Sequence, residues 1–232
     1  MQTILQPVVG VKMSSDLHER LAELHIPYPP GPKRKERIRM IRKCGLLFIH
    51  IPKNAGTSIS HTIYDMDIGH ETIRYFHARM HDARKYPSFA ILRDPLKRFL
   101  SAYRYAQMGG GSDRRVSAGF RGQYMNFRCI DDALDHITNA RSPYDIDHIF
   151  RSQKWYLTDK NGEIAVDHLF MMDDMDSVRS FMKKYTSKYI PHINRTSHDL
   201  PPLNVDQIYR IRTIYDDDYN LISHVKTTCG SI

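Results

Sequence analysis

The chain has 232 residues and a formal net charge of +8, with 41% hydrophobic and 26% charged residues. This is a soluble, globular balance; it excludes a low-complexity or disordered chain, and it supports a core that needs neither disulfides nor a structural metal. Three cysteines (Cys44, Cys129, Cys229) fit no zinc pattern and no CxxC pair, and no apolar run approaches the roughly 20 residues that span a bilayer.

Residues 1–16 lack the positive-then-apolar order of a signal peptide. Together with the sparse cysteines, this gives a cytoplasmic expectation. Residues 1–44 read as an N-terminal arm ahead of a single domain over 45–232. Within the arm, IPYPPGP at 26–32 excludes helix and central strand, because proline lacks a donor and restrains its neighbour. The basic run KRKERIRMIRK at 33–43 suits a nucleic-acid arm or a solvated segment beside an anion site. It has no interleaved aromatics to stack bases, which favours the second reading and no nucleic-acid partner.

A buried strand is expected over 46–51, bounded by Gly45 and Pro52. A helix follows, with Ile59 and Ile63 one turn apart, and a second covers 71–84. Residues 88–92 (SFAIL) form another buried strand. The helix over 95–105 places Leu96, Phe99, Leu100 and Tyr103 on one face, with Asp94 as N-cap and Pro95 as first residue. The Gly/Ser-rich stretch 108–124 reads as a mobile loop or lid. Helices are expected over 130–140 and 153–157, a turn at Asn161-Gly162, a strand over 164–170 and a helix over 174–185. One long helix over 204–225 would bury Val205, Ile208, Ile211 or Arg212, Tyr215, Tyr219 and Ile222. Strands alternating with helices indicate an α/β fold, a three-layer domain with a central, mainly parallel sheet flanked by helices.

Two motifs carry chemistry. The first, FIHIPKNAGTS, runs strand, tight loop, helix. Such a loop aims backbone N–H groups at one point, where the helix dipole adds positive charge. Lys53 supplies a full charge, the small residues Ala55 and Gly56 let an anion approach the backbone, Thr57 and Ser58 are hydroxyl donors, and the amides from Asn54 to Ser58 complete the cradle. A nucleoside-triphosphate loop instead has its lysine after the last glycine, followed by a magnesium-binding Ser or Thr. No such metal ligand is evident here, and a nucleotide kinase is the weaker alternative. The second motif is AILRDPLKRFLSAY. Arg93 sits at a strand's end, where ligands of open α/β sheets gather. A guanidinium fork from Arg93 and the hydroxyl of Ser101 suit one anion. Arg98 is expected to pair with a surface carboxylate.

With both motifs in view, the chain resembles the PAPS-dependent sulfotransferase superfamily, specifically its carbohydrate sulfotransferases and their bacterial relatives. PAPS is 3′-phosphoadenosine-5′-phosphosulfate. In that family a PK-x-A-G-T-S loop binds the 5′-phosphosulfate, here IPKNAGTS, and R-D-P-x-x-R-x-x-S-x-Y binds the 3′-phosphate, here RDPLKRFLSAY. The resemblance covers about 45–225 and implies a P-loop-like fold, PAPS as donor without a metal, and a hydroxyl-bearing acceptor, by default on a glycan or glycolipid. It also implies a general base. Gly69-His70-Glu71 lies between the motifs, and His70 is the first choice, since imidazole suits neutral pH; Glu71 is second. Gln153 and Trp155 fall in a further family segment and are candidates to line the cleft, although a tryptophan more commonly belongs to the core. MMDDM departs from the family pattern there. Arg195 in HINRTSH is a phosphate contact or, as favoured, a solvated loop residue. His77 and His81 could share a helix face as a metal pair, but with no third ligand they read as surface histidines.

Overall fold

A computed structural model describes residues 6–111, 115–188 and 202–229. In chain order the elements are helices α1 (Asp16–Glu23) and α2 (Pro32–Cys44), strand β1 (Leu47–Ile49), helices α3 (Gly56–Tyr64) and α4 (Ile73–Arg79), and strand β2 (Ser88–Leu92). Helices α5 (Pro95–Gln107), α6 (Ala118–Met125), α7 (Ile130–Thr138) and α8 (Gln153–Leu157) follow. The rest are strand β3 (His168–Met171) and helices α9 (Met175–Met182), α10 (Val205–Ile214) and α11 (Asp216–Cys229). The chain forms two compact units. The described residues of Leu21–Arg93 and Gln153–Thr196 make a sheet unit, and those of Met1–Arg20, Asp94–Ser152 and Ser197–Ile232 make a helical unit.

The sheet unit is α/β, as expected. Among the described residues its sheet has three parallel strands in the order β1-β2-β3, with Phe48 opposite Phe89 and Leu92 opposite Met171. Every residue of β1 and β2 is buried, the pattern of parallel strands covered on both faces. Phe48 stacks on Phe89 with ring centroids 4.8 Å apart, and Phe181 of α9 packs on Phe89 at 5.3 Å. The outer side of β1 is satisfied by a side chain: the Tyr64 hydroxyl donates to the Leu46 carbonyl (2.7 Å) and accepts from the Phe48 N–H (2.9 Å). Burial pushes that phenol well above its usual range.

Three expected elements in this unit shift. The basic run forms most of α2, whose Ile38 and Ile41 are buried. The helix expected over 71–84 stops at Arg79, where Met80 turns extended, and a separate 3-10 turn covers Ala83–Lys85. The third strand starts later than expected. The Asp159 carboxylate accepts from the N–H groups of Asn161 and Glu163, which closes a turn. Ile164 then bridges antiparallel to Thr158, so the ladder with β2 begins only at His168.

The helical unit packs α5, α6, α7 and α10 around a core that includes Phe99, Leu100, Tyr103, Phe120, Tyr124, Leu134, Phe150 and Ile211. Helix α5 opens as its sequence dictates, with Pro95 in the first turn and the Asp94 carboxylate accepting from the Lys97 N–H (2.9 Å). The expected loop over 108–124 contains helix α6, which buries Phe120 and Tyr124 one turn apart; residues 112–114 lie outside the described residues. The expected long helix over 204–225 is two helices, broken at Tyr215 (φ −110°, ψ 27°), whose hydroxyl donates to the Phe150 carbonyl. Val205, 84% exposed, is outside the buried stripe.

Candidate anion site and its neighbours

The loop from β1 to α3 contains two non-glycine residues in the left-handed region, Lys53 (φ 69°) and Ala55 (φ 60°). Each costs roughly 1–2 kcal/mol relative to ordinary backbone. Left-handed residues in a turn rotate successive N–H groups toward one side, the concavity that binds anions. Helix α3 starts there with Ala55 at its N-cap and no side-chain cap. Alanine is a poor N-cap, so the first N–H groups of the helix are left to an outside acceptor. Thr57 is exposed and Ser58 half-buried in that first turn.

The loop is tied to the end of β2 by Gln153, which is fully buried. Its Oε1 accepts from Asn54 Nδ2 (2.7 Å) and from the Arg93 N–H (3.0 Å), and its Nε2 donates to the Arg93 carbonyl (2.8 Å). Asn54 Nδ2 also donates to the Ile91 carbonyl (2.7 Å), and Arg93 Nη1 donates to the Lys53 carbonyl (2.9 Å). The Asn54 side chain therefore holds the loop's shape. The sequence marks Gln153 only as a cleft or core residue; its tie between the loop and β2 depends on partners distant in the chain. Trp155 lies under the Arg74 guanidinium (5.1 Å), a stacking contact within the sheet unit.

Gly56 has a different reason for being glycine than room for an anion. A Cβ there would meet His50 Cδ2 at 2.1 Å, so the buried His50 ring occupies that space. The carbonyl of His50 accepts from His70 Nδ1 (2.9 Å), and the two rings are 4.2 Å apart. A carbonyl only accepts, so His70 Nδ1 carries a proton and Nε2 is the basic nitrogen of the neutral ring. Glu71 is 8% exposed, and its Oε1 is taken by Arg37 Nη1 (3.0 Å) and Arg34 Nε (3.2 Å).

The structure gathers Lys53, Asn54, Ala55, Gly56, Thr57, Ser58, Arg93, His70 and Glu71 in the sheet unit. Ser101, half-buried, lies on α5 in the helical unit. Arg98 does not sit on the surface as expected: it is 1% exposed, in the same unit as the buried Tyr215, whose phenol burial pushes up and the Arg98 charge draws down. In MMDDM, Asp174 caps α9 by accepting from the Ser177 N–H. Arg195 lies outside the described residues. Among the described residues, no group of three or more His, Cys, Asp or Glu side chains gathers as for a metal, and no helix is long and apolar enough to cross a membrane.

A family model for sulfotransferases matches residues 36–222. Neither the curated proteins nor the solved structures contain a match to the chain.

Proposed function

Because the chain belongs to the sulfotransferase family, we propose that it moves the sulfuryl group of PAPS to a hydroxyl on a carbohydrate or glycoconjugate. The observation that carries this reading is the loop of Lys53 and Ala55, left-handed at both residues and feeding a helix start without a side-chain cap. Strained backbone persists where the surroundings hold it for a purpose, and here Gln153 and Arg93 hold it. In this reading the N–H groups over 54–58 and the hydroxyls of Thr57 and Ser58 hold the 5′-phosphosulfate. Arg93 reads the 3′-phosphate, and Ser101 joins it on the strength of the motif alone. A reducing, cytoplasmic setting belongs to the same proposal.

The chemistry is an in-line displacement. The acceptor oxygen forms the new bond to sulfur while the bond to the phosphate oxygen of PAP breaks. The hydroxyl proton passes to His70 Nε2, and Lys53 stabilises the charge on the departing oxygen. Glu71 is the weaker candidate base, since two guanidinium groups share one of its oxygens.

Calorimetry with PAP and ATP, each with magnesium or EDTA, tests the donor. PAP binds with the same affinity in EDTA, and Lys53→Ala and Arg93→Ala each weaken it by roughly tenfold or more, the scale of a lost charge-assisted hydrogen bond. Preference for ATP with magnesium would overturn the reading in favour of a phosphotransferase. Transfer from sulfur-labelled PAPS to a glycan panel tests the base. His70→Ala retains PAP affinity and loses transfer, whereas full turnover in that variant rejects His70.

A further inference from the structure

We propose that Arg37, in the basic helix α2, is a positioning residue for His70: it clamps both shoulders of the turn that carries the imidazole. The inference rests on His70 as the base. Arg37 Nε donates to the Asp67 carbonyl (3.1 Å) on one side of the turn, and Nη1 donates to Glu71 Oε1 (3.0 Å) on the other. Nη2 lies 3.9 Å from the Asp67 carboxylate. One planar guanidinium therefore holds residues 67 and 71, and His70 sits between them.

The turn is shaped to admit that clamp. Gly69 is left-handed (φ 82°), and a Cβ there would meet Glu71 Oε2 at 2.4 Å and Arg37 Nη1 at 2.6 Å. The Gly69 N–H donates back to Asp67 Oδ1 (3.2 Å). Arg34 adds its charge to Glu71 Oε1 at 3.2 Å, so the carboxylate has two cations and is held from one helix. The far side of the imidazole is fixed by the His50 carbonyl on Nδ1.

Docking of α2 does not need these arginines, because Ile38 and Ile41 already bury its apolar side and Arg42 forms a bidentate pair with Asp82. Partly buried ion pairs are weak contributors to stability, since desolvation offsets their attraction; fixing a geometry is a better-attested use. Only an arginine fork reaches two groups on opposite sides of a turn, since lysine offers a single point charge. The basic run thus has two faces: Arg34 and Arg37 turn inward to the base's turn, while Lys33, Lys35, Arg39 and Lys43 are exposed.

Nitrogen-15 NMR of the histidine rings tests the clamp without any acceptor. The His70 signal is identified by its loss in His70→Ala. In the native protein it reports the neutral ring protonated on Nδ1. In Arg37→Gln it changes to the Nε2-protonated form that a solvated histidine prefers, while PAP affinity stays within about twofold, because the phosphate loop is untouched. Arg37→Lys serves if the Gln variant does not fold, and the same change is expected, since one shoulder is released. Ile38→Ala is the control: it loosens the packing of α2 and leaves the tautomer as it was. Retention of the Nδ1-protonated signal in a folded Arg37 variant, or its loss in Ile38→Ala, overturns the proposal. Native protein that does not bind PAP would instead remove the donor assignment, and the NMR result would still judge the clamp.

Discussion

Gln153 joins three groups on two residues far from it in the chain: the Asn54 amide, and the N–H and carbonyl of Arg93. Replacing it with leucine keeps the approximate volume but leaves both backbone groups of Arg93 without this partner in a partly buried place. Each unsatisfied buried group costs about 1–3 kcal/mol. We therefore expect Gln153→Leu to lower the thermal midpoint clearly and to weaken PAP binding, because the left-handed residues Lys53 and Ala55 lose their tie to β2. A variant with native stability and native PAP affinity would show that the loop holds its shape by itself. Gly56 makes the complementary point. The motif suggests a glycine that lets a phosphate come close, whereas the space beside its Cα is filled by the His50 ring. The same residue type answers two demands, and only the neighbouring side chain tells them apart.

At the scale of elements, what was legible in the sequence is what depends on near neighbours. Asp94 and Pro95 start α5 by local rules, and β1 and β2 are continuous apolar runs bounded by turn residues. Both anion motifs are likewise contiguous. Elements that depend on distant partners were not legible. Helix α6 contains Gly119 and Gly122, which argue for a loop, yet burial of Phe120 and Tyr124 outweighs their poor helix propensity. Helices α10 and α11 separate at Tyr215, whose hydroxyl bonds to Phe150, 65 residues away in sequence. The roles of Gln153 and Arg37 were hidden for the same reason. Helix α1 shows how a distant partner can anchor an element: Asp16 and Arg151 form a bidentate pair, with side chains 6% and 3% exposed, and Arg151 also donates to the carbonyls of Pro143 and Ile146. Asp16→Ala leaves a buried guanidinium without its counter-charge, for which about 3–5 kcal/mol is the expected loss. Chemical denaturation measures it, and a loss below about 1 kcal/mol would mean that water replaces the carboxylate.

The whole molecule carries a built-in sensitivity to acid. His77 in the sheet unit and His136 in the helical unit are both pushed below the usual imidazole pKa, chiefly by burial. Arg84 adds to the effect at His77, where Asp159 and Asp167 oppose it; Lys12 adds to it at His136, where Asp145 opposes it. His136 is also packed against the rings of Phe120, Tyr124 and Phe127. A folded-state pKa below the unfolded value of about 6.5 means that the unfolded chain binds the proton first. Their contribution is then complete above about pH 6.5 and declines as pH falls through the lowered folded-state values. A second limb lies lower. Burial would raise the Asp147 carboxyl, but His148 at 2.9 Å and the N–H groups of Ile149 and Ser117 hold it well below the usual carboxylate range. Its contribution is complete above about pH 4 and is lost as pH falls further. Melting temperature should therefore be flat from pH 8 to 7, fall from pH 6.5 to 5, and fall again below pH 4. The variant His77→Gln/His136→Gln flattens the first limb and leaves the second. A fall from pH 6.5 to 5 that is undiminished in the double variant would show that other groups bind those protons.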